Sequence, residues 1–305
     1  MDLSNSCRVA DEQLSYSLHQ SSSDRIHGND ETYLSSDRIH GNDETYLVNK
    51  NPGWSKPSLA YIGAHDVFRP EVWRAALTEF VATTLLMFSL TITIIACLDS
   101  HETDPKLLVP FAVFIIAFLF LMVTVPLSGG HMSPVFTFIA ALKGVITPTR
   151  ALMYVISQCI GSIIGFLIIK TVMDKRLASI YSLGGCAISD LKHQEALLIE
   201  FCCTFVVLFV GVTIGFDKKI STHLGLPMVC LVISGAMALA VFVSIVVSGQ
   251  AGYAGVGLNP ARCLGPAILR GGPLWNGHWV FWVGPFLACI IYYVVSLNLP
   301  REVLV

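Results

Sequence analysis

The sequence predicts an all-α membrane protein with six transmembrane helices and two re-entrant half-helices arranged as an inverted repeat. Of its 305 residues, 54% are hydrophobic and only 13% are charged, whereas soluble domains carry about 25% charge. From Glu71 onward, six apolar runs are long enough to cross a bilayer and two further apolar segments are only half as long. Short sequences from the first half recur in the second half at nearly one spacing, which indicates an internal repeat.

Residues 1–70 are expected to form a disordered cytoplasmic tail, because they are polar and lack the apolar periodicity of a fold. The sequence "SSDRIHGNDETYL" at Ser22–Leu34 is repeated without change at Ser35–Leu47. We interpret it as a tandem duplication without consequence, with a phosphorylated regulatory tail as the alternative. No apolar stretch follows Met1, so no cleavable signal is predicted and the first membrane helix serves as its own insertion signal.

The membrane domain is predicted to cover residues 71–299, and residues 300–305 form a short tail. Six runs are predicted to span the bilayer: 72–98, 107–126, 150–173, 195–216, 225–248 and 278–299. The two short segments, about 133–142 and 260–269, would each cover only about 15 Å as a helix, which is half of a bilayer core. Half-length helices are tolerated in membranes where their exposed backbone lines a cavity, so these segments indicate a pore or a binding site.

Three pairs of matching sequences define the repeat. They lie 121, 126 and 123 residues apart: "EFVATTLLMF" (Glu79–Phe88) with "EFCCTFVVLF" (Glu200–Phe209), Ser133-Pro134 with Asn259-Pro260, and Gly161 with Gly284. The halves, about 71–173 and 195–299, contain three spans each, so the second half begins on the opposite side of the membrane. The N-termini of the two half-helices are therefore expected to meet near the midplane.

This meeting point is expected to be the functional centre. Ser133 and Asn259 are predicted N-caps, each followed by a proline (Pro134 and Pro260) at the first helical position. Two facing helix N-termini make a positive centre that repels cations, including protons, and attracts the oxygen of a neutral solute. The Asn259 carbonyl can cap the backbone and leave its NH2 for a solute, whereas Ser133 has no spare amide.

Three charged side chains lie inside apolar segments. Arg262 is interpreted as a pore residue that offers donors to the solute and opposes cations, with a structural ion pair or snorkelling to the surface as the alternative. Glu79 and Glu200 occupy matching positions and are expected to accept backbone N–H groups from the re-entrant loops. The alternative is that they couple proton movement in a secondary transporter, a class that also uses inverted repeats and broken helices.

These residues together resemble the major intrinsic protein (aquaporin) family across nearly all of residues 71–299. The resemblance rests on the two motifs "SGGHMSPV" (Ser128–Val135) and "NPARCLGPAI" (Asn259–Ile268), the paired spans and "QCIGSIIG" (Gln158–Gly165). The Ser-Pro-Val form of the first motif and the Cys263 that follows Arg262 are similar to the plant X-intrinsic subfamily. The resemblance implies an hourglass fold, a pore in each subunit and a homotetramer. It places Ser133, Pro134, Val135, Asn259, Pro260 and Ala261 at the pore centre, supported by Glu79, Glu200, His131 and Cys263.

The family's narrow filter near the outer mouth maps, by spacing from the two motifs, onto Val113, Val247, Val256 and Arg262. Three valines and one arginine make an apolar ring with donors on one side. Because an unpaired hydroxyl or amide costs about 2–7 kcal/mol in an apolar site, this ring penalises water more than a solute that has an apolar face. We therefore expect passive diffusion of glycerol, urea, boric acid and hydrogen peroxide, with modest water flux.

The sequence also gives expectations for the cysteines, for cofactors and for binding partners. The nine cysteines are not expected to form a disulfide framework. Cys263 is interpreted as a small packing residue, with a pore-accessible thiol as the alternative, and Cys186 is a candidate for pairing across subunits. We expect no metal and no cofactor, no nucleic-acid partner at a net charge of -2, and no enzymatic activity, because no nucleophile–base pair or phosphate loop is present.

The orientation follows from the basic residues. They lie before the first span and in the second and fourth connections: Lys50, Lys56, Arg69, Arg74, Lys143, Arg150, Lys218 and Lys219. The first connection is acidic, so both termini are expected in the cytoplasm. The third connection, with Lys175, Arg176 and Lys192, does not fit this rule. The resemblance and the lack of a targeting motif favour the plasma membrane.

Overall fold

The computed structural model describes residues 62–100, 105–188, 191–248 and 255–298. The duplicated sequence of the N-terminal tail lies outside these residues. Within them the chain is helical and contains no strand. The α-helices run in chain order as α1 (Pro70–Asp99), α2 (Pro105–Ser128), α3 (Pro134–Leu142), α4 (Pro148–Val172), α5 (Lys175–Ile180), α6 (His193–Val207), α7 (Lys218–Ser248), α8 (Pro260–Arg270) and α9 (Val280–Asn298).

Six of these helices are long and apolar enough to cross a membrane, as the sequence predicts. They are α1, α2, α4, α6, α7 and α9. Helix α6 continues through a π-helical turn, Leu208–Val212, and a short α-helical segment, Thr213–Gly215. Helix α7 is broken at Gly225, where φ is 74°. A π turn leaves no mark in hydrophobic spacing, so the sequence predicts a regular helix there.

The two short segments are helices of 9 and 11 residues, α3 and α8. Each begins with a proline at its first position, because the fixed φ of proline suits a helix start and its missing N–H would have no partner there. At 1.5 Å per residue they extend about 14 and 17 Å. Both are therefore half-helices of the predicted kind, and their boundaries agree with the predicted 133–142 and 260–269.

The two halves pack in the same way. Helix α1 packs against α4 in the first half, and α6 packs against α9 in the second half, while α2 and α7 contact each other across the halves. The matched glycines lie at these contacts. A Cβ on Gly161 of α4 would lie 2.6 Å from the Phe80 carbonyl oxygen, and one on Gly284 of α9 would lie 2.9 Å from the Glu200 Cβ. Each glycine thus lets its helix approach the carboxylate-bearing helix of the same half.

Half-helix α8 lies against α4, and α3 lies between α4 and α9. Gly265 of α8 fits against Ser162 and Phe166 of α4, where a Cβ would come within 2.6 Å of both side chains. The Ser162 hydroxyl donates to the Ala261 carbonyl in the first turn of α8. Helix α4 of the first half therefore supports the half-helix of the second half, so the two halves form one body around their shared centre.

Candidate functional site

A cavity of about 70 Å³ lies between the two halves. Its wall comes from four of the long helices, from the two loops that lead into the half-helices and from the first turns of the half-helices. The lining residues are Leu86, Met87, Leu90, Ile94, Val113, Ala117, Leu121, Gly130, His131, Met132, Ser133, Val135, Phe136, Thr204, Val207, Met237, Val241, Val256, Gly257, Leu258, Asn259 and Arg262. The wall is mostly apolar, and its polar side chains are His131, Ser133, Thr204, Asn259 and Arg262. Both predicted motifs therefore meet at one cavity.

Ser133 and Asn259 cap the two half-helices in the same way. The Ser133 Oγ accepts a hydrogen bond from the Val135 N–H at 3.3 Å, and the Asn259 Oδ1 accepts one from the Ala261 N–H at 3.1 Å. In each case a side-chain oxygen bonds the N–H two residues further on, as expected for these residues at an N-cap. Pro134, Pro260 and Ala261 of the same motifs are buried in the first turns.

One hydrogen bond joins the two caps. The Asn259 Nδ2 donates to the Met132 carbonyl oxygen at 2.8 Å, directly before the cap of α3. The two half-helix N-termini therefore meet, which is the arrangement that an inverted repeat predicts. From the sequence, the whole NH2 of Asn259 is expected to be left for a solute. In the structure one of its two hydrogens is bound to Met132, so one hydrogen remains for a solute.

The backbone before each cap repeats a rare conformation. Met132 has a φ of 46° and Leu258 has a φ of 55°, although neither residue is glycine. A non-glycine residue in this region costs about 1–3 kcal/mol and persists only where its surroundings hold it. Met132 and Leu258 are 126 residues apart, the same offset as Ser133 and Asn259. The two halves thus also share a strained residue directly before the N-cap, and this residue orients the cap toward the cavity.

Two buried carboxylates hold these strained loops. Glu79 accepts from the His131 N–H at 3.1 Å and from the Met132 N–H at 2.6 Å. Glu200 accepts from the Gly257 N–H at 2.6 Å and from the Leu258 N–H at 3.3 Å. These are the backbone hydrogen bonds expected from the sequence. Both carboxylates are fully buried and lie behind the wall of the cavity rather than in it.

Glu79 also has two side-chain donors. The Ser128 hydroxyl donates to its Oε1 at 2.6 Å, and the Gln158 Nε2 donates to its Oε2 at 2.8 Å. Its carboxylate therefore accepts four hydrogen bonds, whereas Glu200 accepts two from the residues that the structure describes. The two halves share the backbone contacts and differ in the side chains around them.

His131 belongs to a polar network of the first half. Its Nδ1 lies 3.1 Å from the Thr137 hydroxyl, which also accepts from Gln158. Its ring forms a T-shaped pair with the ring of Tyr154, whose hydroxyl donates to the Ser128 carbonyl and accepts from Arg150. His131 is thereby fixed in orientation while it lines the cavity.

Three of the four predicted filter residues line the cavity: Val113 of α2, Val256 before α8 and Arg262 in the first turn of α8. The Val256 N–H is held by the Ser244 hydroxyl of α7 at 3.0 Å. The side chain of Val247 lies outside the described residues. On α7, Met237 and Val241 line the cavity at a spacing of four residues, and the buried Ile245 continues their line along the helix.

The expectations for the thiols of Cys186 and Cys263 are wrong. The two residues form a disulfide within one chain, with Cα atoms 5.1 Å apart. Cys263 is therefore neither a free packing residue nor a pore-accessible thiol, and Cys186 does not pair across subunits. The Arg262 Nη1 lies 3.0 Å from the Cys186 Sγ. Because the two cysteines are 77 residues apart in sequence, spacing alone could not show that the third connection returns to α8.

Thr204 is a cavity residue that the sequence analysis did not assign. It lies four residues after Glu200 in the repeated "EF..T" sequence, but this spacing does not identify a lining residue, because its counterpart Thr83 does not line the cavity. Ala117, Met237 and Val241 also line the cavity and were not predicted. The repeat relates them to the predicted Val113, because Val113 and Ala117 of α2 lie 124 residues before Met237 and Val241 of α7. On α2 and α7, residues at matching positions of the two halves therefore both line the cavity.

Comparison with known proteins agrees with this geometry. The family model described as "Major intrinsic protein" matches residues 66–295. The chain is 30% identical over 255 residues to a probable aquaporin TIP3-2 of Arabidopsis thaliana, covering 78% of this chain and 90% of that protein. It is also 30% identical over 238 residues to aquaporin PIP1-1 of the same plant, covering 74% and 80%. The fold resembles the X-ray structure of the aquaglyceroporin from Plasmodium falciparum, with a TM-score of 0.64, 16% identity, and coverage of 74% of this chain and 95% of that one.

Proposed function

This chain belongs to the major intrinsic protein family, and from that premise we propose that it is a passive channel for small uncharged solutes that excludes protons and ions. The observation on which this proposal depends is the meeting of two capped half-helix N-termini at one narrow, mostly apolar cavity. Neutral solutes can exchange part of their hydration for contacts with these ends. The solutes proposed are glycerol, urea, boric acid and hydrogen peroxide, with modest water flux.

The proposed barrier to protons is electrostatic. Each half-helix N-terminus carries about half a positive charge, and the Asn259 to Met132 hydrogen bond brings the two ends together. Arg262 adds a full positive charge to the same cavity. In a low-dielectric wall such charges repel a cation strongly, whereas the oxygen of a neutral solute is attracted.

The proposed filter is formed by Val113, Val247, Val256 and Arg262, as the spacing of the motifs predicts. The placement of Val113, Val256 and Arg262 around one cavity supports this assignment. For the wall provided by α7, Ile245 is a second candidate because it continues the line of Met237 and Val241. An apolar ring with donors on one side favours solutes such as glycerol, which can turn its carbon face to the valines and its hydroxyls to Arg262.

The same geometry makes proton coupling through Glu79 and Glu200 a weaker alternative. A coupling carboxylate must exchange protons with water, and both residues are fully buried behind the cavity wall. Their oxygens are used by backbone N–H groups of the two strained loops. We therefore assign them to the support of the loops.

Assembly and location are part of the proposal. A homotetramer in the plasma membrane, with both termini in the cytoplasm, is favoured by the family resemblance and by the basic residues of the second and fourth connections. Large apolar side chains are exposed along the long helices, including Leu77, Leu119 and Leu152. Such side chains suit contact with lipid or with neighbouring subunits.

A solute panel in proteoliposomes tests the proposal. Shrinking and re-swelling after an osmotic step in glycerol, urea or boric acid gives each permeability, and empty liposomes give the background. We expect glycerol and urea to enter far faster than in empty liposomes, while a pH-sensitive dye inside reports no added proton leak. Equal rates with and without the protein would reject the channel.

Substitutions at the proposed filter residues test the filter assignment separately. Val113→Phe narrows the ring, so we expect glycerol permeability to fall at least about tenfold while the smaller hydrogen peroxide is less affected, which corresponds to about 1.4 kcal/mol of added barrier. Val247→Phe and Ile245→Phe, compared under the same conditions, decide which α7 position belongs to the ring. Leu119→Phe, on an exposed face of α2, serves as the control. Unchanged glycerol flux in Val113→Phe would remove that residue from the filter.

A further inference from the structure

Thr204 is one of three buried threonines in the long helices whose hydroxyl has no hydrogen-bond partner among the described residues; the other two are Thr83 and Thr91. Other threonine hydroxyls of these helices commonly donate to the carbonyl four residues earlier, as in Thr84 to Phe80, Thr93 to Ser89 and Thr124 to Phe120. The Thr204 Oγ1 makes no such bond and has no hydrogen-bond partner among the residues that the structure describes. Its residue is 1% exposed and lines the cavity.

The repeat provides an internal comparison. Thr83 is the counterpart of Thr204, because each lies four residues after the carboxylate of its half. Thr83 is also fully buried and its hydroxyl is also without a partner in the described part of the chain. It packs against Gly161 of α4, however, and lies away from the cavity wall. The two threonines therefore differ in whether the residue lines the cavity, and they agree in burial and in the lack of a hydrogen-bond partner among the described residues.

We propose that the Thr204 hydroxyl is a solute-binding position of the pore, at which a permeating molecule forms the hydrogen bond that the protein leaves open. This inference rests on the proposed channel function and adds a specificity-determining residue to it. The ligand class is a small neutral molecule with a hydroxyl or amide group, and water is included. A hydroxyl both donates and accepts, so it can serve either face of such a solute.

The position of Thr204 in the wall explains why such a site matters. The cavity wall also includes Val207 of the same helix and Leu86, Met87 and Leu90 of α1, all of them apolar. This wall offers few polar side chains to a solute, and an unmade hydrogen bond in an apolar site raises the free energy of the solute. A single hydroxyl here lowers that barrier for solutes with polar groups.

Thr204→Val replaces the hydroxyl with a methyl group of nearly the same size. Because a buried hydroxyl without a partner is not a stabilising group, we expect this variant to fold and assemble. In proteoliposomes, glycerol and water permeabilities should each fall about two- to tenfold, the equivalent of one net hydrogen bond. Thr204→Ser keeps the hydroxyl and should retain most of the wild-type permeability. The amount of reconstituted protein is measured in every preparation.

Thr83→Val is the matched control and should leave both permeabilities unchanged. Equal permeabilities in Thr204→Val and the wild type would overturn the proposal, as would an equal loss in Thr83→Val and Thr204→Val. Because every comparison is made against wild-type flux, these outcomes leave the channel function itself intact. Absence of wild-type flux would instead reject the proposed function.

Discussion

At the scale of single residues, the two glutamates explain how a strained loop can line the cavity. Met132 and Leu258 adopt positive φ angles, and the carboxylate behind each loop accepts its N–H. The sequence contained this relation, because matching carboxylates and matching motifs lie at nearly one offset. The sequence did not show that Glu79 accepts more hydrogen bonds than Glu200, because the Ser128 and Gln158 hydrogen bonds to Glu79 depend on how α2 and α4 pack.

This difference leads to a prediction about stability. Glu79→Ala removes the acceptor of four hydrogen bonds and Glu200→Ala the acceptor of two, and each buried donor left unpaired costs about 1–3 kcal/mol. We therefore expect both variants to unfold at lower temperature than the wild type, Glu79→Ala by the larger amount. Thermal unfolding in detergent, followed by intrinsic fluorescence, measures the order. Glu71→Ala, an exposed residue near the start of α1, should change little, and an equal effect of all three would contradict the assigned roles.

At the scale of elements, the half-helices were predictable and the covalent link was not. Proline at the start, an apolar length of about ten residues and a capping side chain together specify α3 and α8. The disulfide joins the connection after Ser182–Gly184 to the first turn of α8. Cys186 lies in the connection between the two halves and Cys263 lies in the second half. No spacing rule relates them, so only the folded chain brings them together.

The disulfide should stabilise α8 and the loop over it. Closing a loop of 77 residues is worth about 4.5 kcal/mol in the chain-entropy model. Cys186→Ser and Cys263→Ser should therefore lower the unfolding temperature in detergent by similar amounts. The double variant should add little, since each single change already removes the same bond. Cys202→Ser, an exposed free cysteine, is the control. Additive losses in the double variant would show that the two residues act separately.

At the scale of the whole molecule, the inverted repeat is the organising feature. It pairs α1 with α6, α3 with α8 and α4 with α9, and it places two helix N-termini at one cavity. The number of spans predicted this arrangement. Because the first half has three spans, an odd number, the second half starts on the opposite side of the membrane and is inverted relative to the first. The sequence left two details open: that Thr204 lines the cavity, and which residue in the last turns of α7 faces the cavity. Both depend on the rotation of a helix about its axis rather than on its length.

The central claim is passive flow through this cavity, and the most direct test is the driving force for glycerol. In proteoliposomes we predict an initial glycerol uptake rate that rises in proportion to the glycerol gradient and stays the same when a proton gradient is imposed or collapsed. A channel responds only to the gradient of its own solute. Uptake that follows the proton gradient, or that saturates at low glycerol concentration, would contradict the account and indicate a coupled transporter.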